Sequence, residues 1–214
     1  MSGREDGRVW TDAMRNPAII NSWNRAAMRR VRSFPDATRL PILDTITRAT
    51  QNAIARARAD EWLSVEYSIE LCDTLVDVLG AERAVEFWRD LVYDSWVGGL
   101  LEPLSAGLHS TPDLGDGAET EQLEQRNQGV LALAPAAWSM STRDCGEIVV
   151  AADEDAGSMR LEAHNLPPIV RVSEGIQVLY AGAVKAMLAF SKLSTHVEID
   201  TSGDTLAFSL TFRD

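Results

Sequence analysis

The chain is poor in the residues that usually announce chemistry. It has only two cysteines, Cys72 and Cys145, with no CxxC spacing, and its charged first eight residues lack the apolar stretch of an export signal. The expected home is therefore the reducing cytoplasm. Long apolar runs are also missing: the longest, Val178 to Phe190, is interrupted by Lys185 and falls short of the about 20 residues that cross a bilayer. No Gly-rich phosphate loop, dinucleotide fingerprint, nucleophile elbow, zinc-protease helix or calcium loop occurs. With the common enzyme signatures absent, the expectation is a non-enzymatic protein with no resident cofactor and no metal.

Histidine is scarce too, at three residues. His109 falls in a loop rich in Ser, Thr, Gly, Pro and Asp from Ser105 to Thr120, which reads as a lid or as surface slack. His164 and His196 fall on the polar parity of two strand-like segments. Were those strands neighbours, the two imidazoles could meet near Glu162 or Glu198 and form a zinc or iron site. Polar-face histidines are ordinarily just solvated.

What is present is an uneven charge. The net charge of −12 divides into +5 over residues 1 to 60, with 11 Arg, and −17 over the remainder. An acidic body disfavours binding to a phosphate backbone, which draws on clustered positive charge, so nucleic acid is excluded as a partner of the body. At 45% apolar residues in 214, the chain can bury one real core.

The strongest pattern runs from Gly146 to Phe212. Leu206, Phe208, Leu210 and Phe212 alternate with small polar residues, a period of two that predicts a half-buried strand. Val197 and Ile199 alternate before them, and Thr201-Ser202-Gly203-Asp204 supplies the reversal of a hairpin. Gly146 to Ala151 and Met159 to Ala163 predict a second hairpin. Between the hairpins, Pro167-Pro168 fits a helix start. A helix from about Pro168 to Phe190 follows, with Val172, Ile176, Leu179, Ala183, Met187 and Phe190 at helical spacing and a small-residue face of Gly175, Gly182, Ala186 and Ala189. Apolar around most of its circumference, it is expected to lie between a sheet and other helices. Glycine inside a helix costs roughly 1 kcal/mol against alanine, so that face implies either close backbone approach or room for a ligand.

Towards the N-terminus, Ile20, Trp23, Ala27, Val31 and Phe34 share one helical face and Arg25, Arg29 and Arg32 another. This predicts a basic amphipathic helix, set apart with the polar start as an arm over residues 1–35. It suits an anionic membrane surface, a partner or nucleic acid, or a dock on the acidic body of its own or a second chain. Residues 36–214 are expected to form a single α+β domain, helical over 36–140 and strand-strand-helix-strand-strand over 146–213, with a four-stranded antiparallel sheet. Leu40 to Arg58 predicts a helix with Leu43, Ile46, Thr50 and Ile54 inward. Leu63 to Leu79 predicts another, striped by Val65, Ile69, Cys72, Val76 and Leu79 and ended by Gly80; Cys72 reads as a core residue. Opposite that stripe, Glu66, Glu70, Asp73 and Asp77 form an acidic face, solvated or docking the arm. Ala81 to Leu101 and Glu121 to Trp138 complete the helices, and Trp138 is expected to cover one end of the sheet.

Trp62-Leu63, the helix end Leu75 to Leu79, the Gly98-Gly99 region and the helix Glu174-Gly175 to Gly182 give the segment from Trp62 to Phe212 a likeness. It resembles a paralogous family of myxobacterial-type proteins whose architecture is similar to haem-nitric-oxide-binding domains and, more distantly, to 4-vinyl-reductase-type ligand-binding domains and transport-protein-particle subunits. The resemblance implies a ligand-binding fold. It also implies an iron-binding histidine in the helix before the first strand and a Tyr-x-Ser-x-Arg propionate motif, and this sequence departs from both: Glu121 to Trp138 has no histidine and the motif occurs nowhere. The haem gas-sensor reading is disfavoured accordingly.

Together these readings predict a regulatory or scaffold protein, possessing a pocket for a small apolar ligand beside Gly175, Leu179, Gly182, Ala186 and Trp138. The alternative is a dimerisation or protein-interaction subunit acting through Trp23, Arg25, Arg29 and Arg32.

Overall fold

The computed structural model describes residues 16–97, 129, 131–153, 158–190, 195–200 and 206–212. The expected loop Ser105 to Thr120 with His109, and half of the expected helix Glu121 to Trp138, lie outside the described residues.

The chain enters on a strand that the sequence does not announce. β1 (Ala18–Ile20) lies between β2 (Trp62–Ser64) and β3 (Thr142–Arg143) and pairs antiparallel with both. Strands of two or three residues are too short to show an alternation, so this three-stranded sheet is an addition to the expected architecture. It also joins residues 18–34 to the body. In α1 (Asn21–Arg32), Trp23, Ala27 and Val31 are buried as the apolar spacing predicts, within the same core cluster as the C-terminal elements. The boundary drawn after residue 35 is thus crossed by packing: this part of the arm is part of the domain.

Two expected helices are broken. The helix over Leu40 to Arg58 becomes α2 (Asp36–Thr45) and α3 (Arg48–Arg56), because Thr47 is extended (ψ 151°) and its hydroxyl accepts from the Thr50 N–H at 3.3 Å, starting a new helix. The far end of α3 is held by buried Asn21, whose Nδ2 donates to the carbonyls of Ile54, Ala57 and Arg58 at 3.0–3.1 Å. These are the carbonyls a helix C-terminus leaves unpaired.

α4 (Val65–Leu79) and α5 (Ala81–Val97) are joined at Gly80, whose positive φ of 80° suits glycine. The stripe on α4 includes buried Val65 and Cys72, yet Leu71 and Leu75 are buried as deeply, because the helix is covered on more than one side. On α5, the apolar spacing of Trp88, Leu91 and Val92 matches their burial.

After α6 (Ala134–Ser141) comes the strand-rich unit: β4 (Glu147–Asp153), β5 (Ser158–His164), α7 (Pro168–Val172), α8 (Glu174–Phe190), β6 (Thr195–Asp200) and β7 (Leu206–Phe212). A mainly helical N-terminal part followed by this strand-rich unit makes the α+β class. The second sheet runs β4-β5-β7-β6, antiparallel throughout. Register places Val150, Leu161, Phe208 and Ile199 in one row across it. Leu161 and Phe208 are wholly buried in that row. α8 packs against α4 and α5, and other residues on it face the sheet. Burying an Ile or Leu side chain, as at Ile176 and Leu179, contributes about 1.5–3 kcal/mol each.

The helix expected over Pro168 to Phe190 breaks at Ser173. That residue is extended (ψ 113°), its Oγ accepts from the Ile176 N–H at 3.1 Å, and the α4 carboxylate of Asp73 accepts from the Gly175 N–H at 2.8 Å.

Candidate functional site

The glycine stripe of α8 is a packing seam. A Cβ on Gly175 would collide with the backbone of Cys72 and Asp73 on α4, and one on Gly182 would lie 2.5 Å from Trp88 Cβ and 2.8 Å from the Val85 carbonyl on α5. Leu179 and Ala186, on the same stripe, are wholly buried. The expected pocket beside Gly175, Leu179, Gly182 and Ala186 is therefore corrected: the missing side chains are replaced by neighbouring helix backbone, leaving no room for a ligand.

A cleft exists about 100° further round the same helix, the angular step of one residue. Tyr180, Ala183, Val184 and Met187 form its α8 wall; Ala134, Ala137, Trp138, Ser141 and Thr142 come from α6 and β3; Ile148, Leu161 and Phe208 come from the sheet, and Trp23 from α1. Its volume is about 40 Å³, room for more than one water by size, although apolar walls keep such spaces dry. The Trp138 and Tyr180 rings lie 4.3 Å apart at its edge.

Of the sequence-based pocket residues, Trp138 alone lines this cleft. Trp23 lines it as well, although its spacing suggested an arm. Met187 and Phe208 were readable only as core positions, and Tyr180 drew no reading, since no local pattern separates a residue beside a void from one in a filled core.

Three polar side chains on the wall have hydrogen-bond partners within the protein. Ser141 Oγ donates to the Ala137 carbonyl at 2.8 Å, Thr142 Oγ1 to the Trp138 carbonyl at 2.9 Å, and Trp138 Nε1 to the Gly146 carbonyl at 3.0 Å. Tyr180 is 2% exposed; its hydroxyl is buried near the Cys145 thiol and completes no full hydrogen bond. Burial, then the neighbouring Cys145 and Cys72, push the Tyr180 phenol well above its ordinary pKa.

The arm residues take other roles. Trp23 is 5% exposed, so it cannot touch a membrane or partner while α1 stays docked. Arg25 donates to the Ala57 carbonyl at 2.7 Å, while Arg29 and Arg32 are exposed. Docking charge comes instead from Arg30, which meets Asp90 at 3.0 Å and Asp94 at 4.0 Å and lies 5.5 Å above the Phe87 ring.

The acidic face is also divided. Glu70 accepts from the Thr47 N–H at 2.5 Å and from the hydroxyls of Thr47 and Thr50, and Asp73 accepts from Ser173 Oγ at 2.9 Å and from Gly175. Glu70 thus serves the start of α3 and Asp73 the start of α8, where negative charge is favourable. Glu66 and Asp77 remain exposed.

On the outer face of the second sheet, Glu162 lies 3.0 Å from both Arg160 and His164, and Arg160 is 3.5 Å from Asp200. His164 ends β5 beside Glu147, whereas His196 pairs with Thr211 at the far end of β7. The two histidine positions are at opposite ends of the sheet, which removes the shared metal site. Among the described residues no group of three or more His, Cys, Asp or Glu could hold a metal ion. No described helix is long and apolar enough to cross a membrane.

This arrangement of helices packed against a hairpin-helix-hairpin sheet resembles the fold of haem-nitric-oxide-binding (H-NOX) domains. An unliganded Fe(II) H-NOX protein mutant from K. algicida superposes with a TM-score of 0.52 at 9% identity, over 92% of this chain and 97% of that one. An H-NOX mutant from T. tengcongensis gives a TM-score of 0.48 at 11% identity, over 92% and 98%. No protein-family model and no curated protein matches the chain. Of the likenesses drawn from the sequence, the H-NOX one is supported, at the level of fold.

The residues around the cleft do not fit a haem. At about 40 Å³ the space is far below the roughly 300 Å³ at which ordinary ligand pockets begin. Among the described residues its wall has no histidine and no cation to meet a propionate. Tyr180, whose phenol could in principle ligate iron, has its hydroxyl fully buried with ionisation suppressed.

Proposed function

We propose that the chain is a haem-free, non-enzymatic regulatory domain that binds a small apolar molecule in the cleft between α6, α8 and the second sheet. The observation that carries this reading is the wall itself, where Trp23, Trp138, Tyr180 and Phe208 bring α1, α6, α8 and β7 to one space. An occupant touches all these elements at once, so its binding energy stabilises their mutual arrangement by mass action. That is what a domain needs in order to report a ligand.

Native mass spectrometry of the purified protein, set against the denatured mass, tests this together with thermal shift across apolar compounds. A bound small mass, or a saturable rise in melting temperature, is expected. Neither appearing would reduce the cleft to a packing defect. Incubation with haemin is expected to give no Soret band that co-purifies with the protein.

A further inference from the structure

The hydrogen-bonding groups around the cleft restrict what can enter it. Five wall side chains carry a donor, Trp23, Trp138, Ser141, Thr142 and Tyr180, yet almost no polar surface faces the space: Ser141, Thr142 and Trp138 donate to the carbonyls of Ala137, Trp138 and Gly146, and the Tyr180 hydroxyl is buried near Cys145. Ser141 and Thr142 are each 6% exposed, so water does not readily replace their present partners. Among the described residues no charged side chain lines the cleft. A molecule entering it gives up its hydration and receives no N–H or O–H in return. For a hydrocarbon this costs nothing; for a carbonyl or carboxylate it leaves a desolvated acceptor unpaired.

We infer that the cleft selects against hydrogen-bond acceptors and takes an uncharged, acceptor-free molecule of a few heavy atoms, such as a small hydrocarbon or an apolar gas. This rests on the cleft being the binding site and adds the chemical class of its occupant. Size acts in the same direction, because at about 40 Å³ anything as large as an aromatic ring must displace Trp138 or Met187.

Isobutene and acetone test it, since they share a shape and differ in CH₂ against carbonyl oxygen; xenon and acetate extend the series at each end. Binding is read on the full chain by NMR, from the Met187 methyl and the Trp138 indole N–H, with Ala183→Leu as a filled cleft and Ala137→Val as a milder one. Xenon and isobutene are expected to shift both signals saturably. Acetone is expected to bind at least tenfold more weakly than isobutene, and acetate to leave both signals in place. The folded filling variant should lose the response. Acetone binding within twofold of isobutene, with the response abolished by filling, would overturn the selectivity while leaving the cleft as a binding site. If none of the four probes moves either signal, or the shifts survive filling, both the selectivity and the site reading fall.

Discussion

Asp73 Oδ1, on α4, lies 2.8 Å from the backbone nitrogen of Gly175 and 2.9 Å from Ser173 Oγ, so one carboxylate fixes the start of a helix a hundred residues later in the chain. The contact requires the two helices to approach at the Gly175 position, where any side chain would strike α4 backbone. Asp73→Ala removes an acceptor from two donors and is expected to lower unfolding free energy by about 1–2 kcal/mol in urea titration. Asp73→Asn, which keeps an acceptor oxygen, is expected to lose less.

Gly182→Ala adds a single methyl group where Trp88 Cβ, the Val85 carbonyl and the Arg89 nitrogen already lie within 2.9 Å. Helix propensity alone favours the substitution by roughly 1 kcal/mol. Two of the three obstacles are backbone, so overpacking wins, with an expected net loss of about 2 kcal/mol or more. The melting temperature of the variant checks the sign.

Asn21→Asp keeps size and shape but replaces a donating amide with a carboxylate facing the carbonyls of Ile54, Ala57 and Arg58. With Asn21 fully buried, a loss of about 3 kcal/mol or more is expected at neutral pH. Protonation of the new carboxyl should relieve part of it, so the gap from the native protein is expected to narrow as pH falls towards 4–5, as followed by denaturant midpoint.

Glu70 makes a pH-dependent contribution of its own. Burial pushes its carboxyl pKa up, but the Thr50 hydroxyl, the Thr47 N–H and the Thr47 hydroxyl together outweigh this and hold it below the ordinary value. A folded-state pKa below the unfolded one gives stability that is present above the unfolded value and lost as pH drops through the folded value. Glu70→Gln is therefore expected to flatten the acid limb of the stability curve below the usual carboxylate range, with its largest deficit near neutrality.

Neither thiol should react in the native protein. Burial raises both, Cys72 well above its ordinary value and Cys145 to about 11, and each is wholly enclosed. Thiol titration at pH 8 is expected to find no reactive cysteine until denaturant is added, and two thereafter.

What the sequence revealed divides by length and by distance along the chain. α4, α5 and β4 to β7 are long enough for their periods to be read, and their bounds fall close to expectation. The breaks at Thr47 and Ser173 were hidden because the carboxylates that assist them, Glu70 and Asp73, belong to a different helix. β1, β2 and β3 are too short to show a period. At the site, an apolar composition around α8 pointed to burial but not to which stripe met helix backbone and which met space. Of the two readings open for Gly175 and Gly182, close backbone approach is the one the packing shows and the pocket is not, while Met187 passed as ordinary core and Tyr180 drew no reading.

The central place of β1 in the small sheet bears on how the protein is made. Its two neighbours come from opposite halves of the chain, residues 62–64 and 142–143. On the ribosome, Ala18 to Ile20 can find the first partner early but must wait for the second until residue 143 has emerged. Through that interval one side of β1 remains unpaired, an edge open to wrong strands and to chaperones. Translation speed between codons 64 and 143 should therefore influence yield more than its speed afterwards.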